Sequence, residues 1–193
     1  MEEISEIKAY AKENSVPIMQ DAGIDFICDY IKNNDIHSVL EIGTAIGYSS
    51  IKFAKVRPDV KVTSIEIDMD RHIKAVQNVR DNNLQDRITL LYGNALYVDV
   101  EEKFDLIFID GPKAQYINFF EKFKDNLTPD GVFISDNLAF HGMVDDLSLT
   151  HNYSTIKLVK KIRKYIDFLK ANTEFTTTFY ELGDGVAVTR KNK

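Results

Sequence analysis

The ten residues Leu40-Glu41-Ile42-Gly43-Thr44-Ala45-Ile46-Gly47-Tyr48-Ser49 decide how this chain folds. The apolar run 38–42 reads as a short strand buried on both faces, and 43–47 as a glycine turn. The segment that follows, 48–56, has a helical period. Strand, glycine turn and helix start place free backbone amides at a strand's carboxyl end, where an anion is favoured. The two glycines stand four apart, so this is not the G-x-G-x-x-G turn of dinucleotide folds. No Gly-Lys-Ser/Thr follows, so it is not a phosphate-gripping loop either. On its own the stretch also reads as ordinary turn chemistry.

Outward from this unit the apolar period alternates between strand and helix. Strands are expected at 60–67, 88–92, 104–110 and 131–136. Helices are expected at 70–82, with Asp70 as N-cap, at 115–126 and at 154–170. Two helices, 2–13 and 20–33, precede the first strand. Strands 174–182 and 186–190 flank Gly183-Asp184-Gly185 and are too close to pair except as an antiparallel hairpin. The expected fold is α/β: a doubly wound, mostly parallel, seven-stranded sheet with helices on both faces and a C-terminal antiparallel hairpin. Its ligand site belongs at the carboxyl ends of the strands, at the switch point.

At 193 residues the chain suits a single domain, 1–193, with the helices of 1–33 covering the site. A lone cysteine excludes a disulfide framework and a zinc-finger scaffold, and the four histidines lack metal-ligand spacing. The N-terminus has neither a basic nor an apolar leader region, and no apolar run approaches a membrane span. A cytoplasmic protein is expected, with no membrane partner. The net charge of −6 disfavours wrapping nucleic acid through bulk charge but leaves room for a local basic patch.

Four sets of residues carry chemistry. Glu66 ends the second strand, where a carboxylate accepts hydrogen bonds from the hydroxyls of a ribose; a solvated strand end is the alternative. Asp110 and Asp136-Asn137 end two strands that lie side by side in a parallel sheet. Two carboxylates and an amide form an all-oxygen set suited to Mg²⁺ or another hard divalent ion, unless each acid only caps a turn. Lys113, in Gly111-Pro112-Lys113, is placed to orient a substrate oxygen or act on its proton, or is an exposed structural lysine. Lys157, Lys160, Lys161 and Lys164, with Arg163 beside them, share a helix face by i, i+3, i+4 and i+7 spacing within a stretch, 156–166, that contains no acid, which reads as a phosphate contact or as a solvated face.

Together these motifs resemble the metal-dependent O-methyltransferases of the catechol and caffeoyl-CoA type, a Rossmann-like class I methyltransferase family. The matching segments are 40–49, Ile65-Glu66, 104–110 and 134–137. Segments 9–19, 115–120 and 183–188 extend the resemblance to the bacterial tRNA 5-hydroxyuridine methyltransferases, over essentially the whole chain. The resemblance implies S-adenosylmethionine as cofactor, held by Met19, Glu41, Gly43, Gly47, Tyr48 and Ser49 at its methionine end. It also implies Glu66 at the ribose, Asn94 and Ala95 beside the adenine, and Asp110 between cofactor and metal. Asp110, Asp136 and Asn137 would ligate Mg²⁺, and Lys113 and Asp110 would be catalytic. The implied reaction methylates the 5-hydroxyl of 5-hydroxyuridine at the tRNA wobble position. The anticodon loop is then the partner, held by Lys157, Lys160, Lys161, Arg163 and Lys164, and a homodimer is the implied assembly. A small catechol-like or caffeoyl-type acceptor is the alternative, and a nicotinamide-dependent dehydrogenase a remote one. Relatives often carry Asp in place of Asn94 and Ala-Ala-Lys in place of 111–113.

Overall fold

The computed structural model describes residues 2–193. Helices α1 (Glu2–Glu13) and α2 (Asp21–Asn33) lead into β1 (Ser38–Ile42), α3 (Tyr48–Val56), β2 (Lys61–Glu66), α4 (Met69–Asp81) and β3 (Ile88–Tyr92). After them come β4 (Phe104–Ile109), α5 (Tyr116–Phe123), β5 (Leu127–Ser135), α6 (Tyr153–Ala171), β6 (Phe175–Tyr180) and β7 (Val186–Lys191). The sheet runs β3-β2-β1-β4-β5-β7-β6, with the first five strands parallel and the last two antiparallel to their neighbours. Chain direction across the sheet reverses between β1 and β4, which makes the cleft beyond their carboxyl ends the switch point.

The sheet separates two apolar layers, because successive side chains of a strand point to opposite faces. On one face, Val39, Leu106 and Val132 pack with Ile24, Ile27 and Ile31 of α2 and Ile51 and Phe53 of α3. On the other, Leu40, Ile107 and Phe133 meet Phe119, Phe120 and Phe123 of α5 and Val159, Ile162 and Tyr165 of α6. Phe120 stacks on Phe133 at 4.4 Å between ring centres and meets Phe175 edge-on at 5.1 Å, tying α5 to β5 and β6. Burying such a ring contributes about 1.5–3 kcal/mol relative to exposure.

Several boundaries differ from the sequence expectation. The N-cap of α4 is Asp68, not Asp70: the Asp68 side chain accepts the Arg71 N–H at 3.0 Å, which places Asp70 inside the first turn. Strand β5 begins at Leu127, four residues early, because Leu127 pairs with Phe104 across a register shift. The C-terminal strands form the expected hairpin, and β7 inserts between β5 and β6, bringing the turn 183–185 to the carboxyl end of β5. Among the described residues, no helix is long and apolar enough to cross a membrane.

Candidate active site

Gly43 leaves β1 at φ +105°, and a Cβ there would lie 2.7 Å from the carbonyl oxygen of Asp110. Only glycine lets the turn approach the end of β4 this closely. Gly47 caps α3 at φ +81°. No side chain caps that first turn and no acid lies in it, so its amides point outward unneutralised, as a cradle for a carboxylate. Glu66 is buried, with Oε2 accepting the Ala45 N–H at 2.7 Å and Oε1 accepting the Asp68 N–H at 2.9 Å. Each oxygen keeps a lone pair for a further donor.

Glu41 lies beneath the turn, fully buried, and its carboxylate accepts from the hydroxyls of Ser49, Ser50 and Ser64. Burial pushes its pKa up to about 7, against the opposing pull of the three hydroxyls. Tyr48 and Met19 converge from α3 and the entry to α2. The Tyr48 hydroxyl donates to Asp21 at 3.4 Å, and the Met19 methyl fills the space that a Cβ on Gly23 would occupy. Burial pushes the Tyr48 phenol up to about 12. Asn94 shapes the turn after β3: its side-chain oxygen accepts the Leu96 N–H at 3.0 Å, while the neighbouring Gly93 N–H donates to the Glu66 carbonyl at 2.8 Å. Ala95 is buried there, its carbonyl accepting the Lys122 ammonium at 2.8 Å.

The second half of the site sits one strand over. Ile109 and Ser135 are paired across β4 and β5, so Asp110 and Asp136 leave the sheet side by side. The Asp136 N–H donates to the Ile109 carbonyl at 3.3 Å, and the Asp110 N–H to the Ile42 carbonyl at 3.0 Å. Burial raises the pKa of both carboxyls, and for Asp136 the nearby charge of Asp110 adds to it, reaching about 7. The Lys113 ammonium lies 3.4 Å from Asp110 Oδ1 and opposes the rise. Asn137 stands at φ +61°, with its amide nitrogen donating to Asp184 at 3.3 Å and its carbonyl oxygen on the opposite arm.

The donor set fits a hard divalent cation. Asp136 is buried and the partly exposed Asp110 beside it adds to its proton affinity, a conflict that a cation removes, and an amide oxygen completes an all-oxygen set. Among the described residues, no three His, Cys, Asp or Glu side chains cluster as a metal centre; this set is two acids and an amide.

The basic stripe divides in two. Lys157, Lys160, Lys161 and Lys164 are exposed on the side of α6 away from its buried face, with Lys157 over the Tyr153 ring at 4.4 Å. Arg163 is not part of that surface: its guanidinium donates to the carbonyls of Val144, at 2.7 Å, and Asp145, at 3.4 Å. It secures the loop after β5. Asp184 is the polar residue that sequence reasoning passed over. It is 5% exposed and receives the His141 N–H at 2.5 Å as well as the Asn137 amide. Its only signal was its place between two glycines, which reads equally as a plain turn.

A glycine turn, a buried carboxylate at the end of β2 and a pair of acids meet at one switch point of an α/β sheet, an arrangement that can take a nucleoside cofactor beside a cation. The O-methyltransferase family model matches residues 1–192, and the chain belongs to that family. This sets aside the dehydrogenase alternative. The chain is 30% identical over 143 residues to the O-methyltransferase imqG of Aspergillus flavus, covering 65% of this chain and 58% of that one. It is 29% identical over 152 residues to a catechol O-methyltransferase of Niastella koreensis, covering 75% and 66%. Both matches span less than two thirds of the relative. Caffeoyl-CoA O-methyltransferase 2 of Petunia hybrida is 27% identical over 210 residues, covering 99% and 83%. A solved Staphylococcus aureus structure, provisionally named a caffeoyl-CoA O-methyltransferase, superposes with TM-score 0.93 at 35% identity, covering 98% and 92%.

Proposed function

We propose that the protein is an S-adenosylmethionine-dependent O-methyltransferase that acts, with a hard divalent ion such as Mg²⁺, on a small catechol-like or caffeoyl-type hydroxyl. One observation carries the reading. The glycine turn packs directly on Asp110, so a cofactor held on that turn would lie against the oxygen donors of Asp110, Asp136 and Asn137. The names of the catechol and caffeoyl-CoA relatives support the acceptor class.

When bound, S-adenosylmethionine supplies an electrophilic methyl group and the cation lowers the pKa of a phenolic hydroxyl toward neutrality. The chain's own residues do the rest. The amides that open α3 receive the cofactor carboxylate, Glu66 orients the ribose, and Asp110, Asp136 and Asn137 hold the cation. Lys113 presents an ammonium beside Asp110, where it would steady the negative charge on the acceptor oxygen once its proton has passed to solvent, before the oxygen–methyl bond forms and the methyl–sulfur bond breaks. Such positioning supplies up to about 7–11 kcal/mol of a two-reactant barrier.

The test is transfer of labelled methyl from S-adenosylmethionine to a catechol and to caffeoyl-CoA, with and without a chelator. Chelator-sensitive product that disappears in Asp136→Ala supports the reading. Undiminished transfer under chelation overturns the cation's part in it.

A second acceptor is favoured by the four exposed lysines of α6 in a chain of net charge −6: the 5-hydroxyl of 5-hydroxyuridine at the tRNA wobble position. Label entering bulk tRNA, with transfer falling steeply as salt rises, would select this acceptor. A cytoplasmic homodimer accompanies either reading, and light scattering of the purified chain tests the assembly.

A further inference from the structure

Four donors from the loop after β5 land on two residues of the β6–β7 turn. The Leu138 N–H donates to the Gly185 carbonyl at 3.0 Å and the Ala139 N–H to the Asp184 carbonyl at 2.7 Å. The His141 N–H and the Asn137 side-chain amide both reach the Asp184 carboxylate, at 2.5 Å and 3.3 Å. The backbones are in direct contact here: a Cβ on Gly185 would lie 2.6 Å from the Ala139 nitrogen. Three non-glycine residues of the loop, Asn137, Phe140 and His141, have φ between +45° and +61°, a region such residues enter when their surroundings compel it. Asp184 is buried, and its charge reaches Asp136, whose carboxylate accepts the backbone N–H of Asn137.

We propose that Asp184 is a positioning residue for the cation site: it fixes the rotation of the Asn137 amide so that the nitrogen turns away from Asp110 and Asp136 and the carbonyl oxygen remains for the cation. This rests on the reading of Asp110, Asp136 and Asn137 as cation ligands. The physical basis is the asymmetry of the amide. A carboxylate only accepts, so the arm of Asn137 that meets Asp184 must be NH₂. Without that acceptor the two arms are nearly equivalent in shape, and half of the rotations would aim a donor at the cation. Partners that orient a ligand in this way commonly change metal affinity by about 10–100-fold.

The experiment is a titration of the full chain with Mn²⁺, followed by calorimetry and by electron paramagnetic resonance, without cofactor or acceptor. In Asp184→Asn, an NH₂ faces the NH₂ of Asn137. Relief requires Asn137 to rotate, which places its donor toward Asp110 and Asp136, so the Mn²⁺ Kd rises about 10–100-fold. In the double variant Asn137→Asp/Asp184→Asn, donor and acceptor exchange places. The new amide at 184 donates to the new carboxylate at 137, and its carbonyl still accepts the His141 N–H, so most of the lost affinity returns. A wild-type chain that does not bind Mn²⁺ removes the cation reading and this inference with it. Wild-type binding that is unchanged in Asp184→Asn overturns the role of Asp184 alone. Weakened binding that the double variant fails to restore makes Asp184 a loop anchor only and overturns the inference too. Should Asp184→Asn not fold, the double variant is compared with Asn137→Asp alone, which carries the same new carboxylate: a Mn²⁺ Kd about 10-fold or more lower in the double variant supports control of residue 137 by residue 184, and equal values overturn it.

Discussion

Glu66 and Ala45 are joined by a hydrogen bond of 2.7 Å from the backbone N–H of the glycine turn to the carboxylate at the end of β2. Ala45 needs the tether, because it sits at φ +47°. Glu66, which the sequence offers as a ribose acceptor, therefore sets the shape of the glycine turn that we propose as the cradle for the other end of the cofactor.

Glu66→Gln tests that double duty. One arm of the amide becomes a donor and must face the Ala45 or the Asp68 N–H, leaving a clash or an unpaired amide worth about 1–3 kcal/mol. The Kd for S-adenosylhomocysteine, measured by calorimetry, rises roughly 5–100-fold, with the enthalpy change reduced. Affinity within experimental error of wild type would mean that the cofactor does not touch this carboxylate.

The buried acids make the ligand-free chain pH-sensitive. Glu41 and Asp136 are each pushed up to about 7, and Asp110 is raised as well. The unfolded carboxyls titrate near 4, so between about pH 4 and 7 the folded state holds more protons than the unfolded state. Stability from this source is complete below pH 4 and is lost as pH rises through 7. The melting temperature without cations is accordingly lower at pH 8 than at pH 5. Asp136→Asn recovers part of the loss at pH 8, by about 2–4 °C for each kcal/mol regained, and no longer responds to Mg²⁺. Scanning fluorimetry of both proteins at the two pH values, with and without Mg²⁺, checks the whole set.

Ser64→Ala removes one of the three hydroxyls serving Glu41 and also strands the Thr44 hydroxyl, which lies 2.6 Å from it. Both groups are buried, so urea denaturation should show a loss of about 1–3 kcal/mol. Ser64→Thr keeps the hydroxyl and should retain part of it. A loss below about 0.5 kcal/mol would show that the cluster contributes little.

The parallel half of the sheet and the glycine turn were legible in sequence because both rest on local period and local backbone need. Asp110 and Asp136 were legible as a pair because parallel strands bring consecutive carboxyl ends together. Three features were not. The insertion of β7 beside β5 is a choice between two edges that the hairpin's own sequence does not express. Asp68 and Asp70 are both good caps, and only the helix phase separates them. The partners of Asp184 lie 43 and 47 residues away, so no spacing rule connects them. Arg163 misled for a related reason: it lies beside the lysines in sequence, yet its side chain turns to the loop.

The four exposed lysines separate the two acceptors. Lys157, Lys160, Lys161 and Lys164 changed together to Gln leave the kcat/KM for a catechol within about 2-fold, since each lies on the outer side of α6 and such surface changes are commonly within ±0.5 kcal/mol. If tRNA is the acceptor, the same variant loses most transfer at 150 mM salt, and the slope of log affinity against log salt falls by up to about four charges' worth. Steady-state rates on both acceptors at three salt concentrations give the answer.

Arg163 offers a test of how the acceptor side is held. Its guanidinium bonds the Val144 and Asp145 carbonyls, while the other end of the same loop is fixed on Asp184. The loop is thereby anchored at both ends of the segment 137–146, and its backbone is preformed before an acceptor arrives. Arg163→Ala leaves those carbonyls without their donors and frees one anchor, at a cost of about 1–3 kcal/mol for groups paired to a charge. Amides 142–146 should then exchange with solvent faster, because local opening requires less free energy. The cofactor is proposed to lie on β1 and β2, whereas Arg163 holds only residues 144–145 at the far end of the loop, so the Kd for S-adenosylhomocysteine should hold while the KM for the acceptor rises. A parallel loss of cofactor affinity would mean instead that the loop is part of the cofactor site, and that its two anchors serve the methyl donor rather than the acceptor.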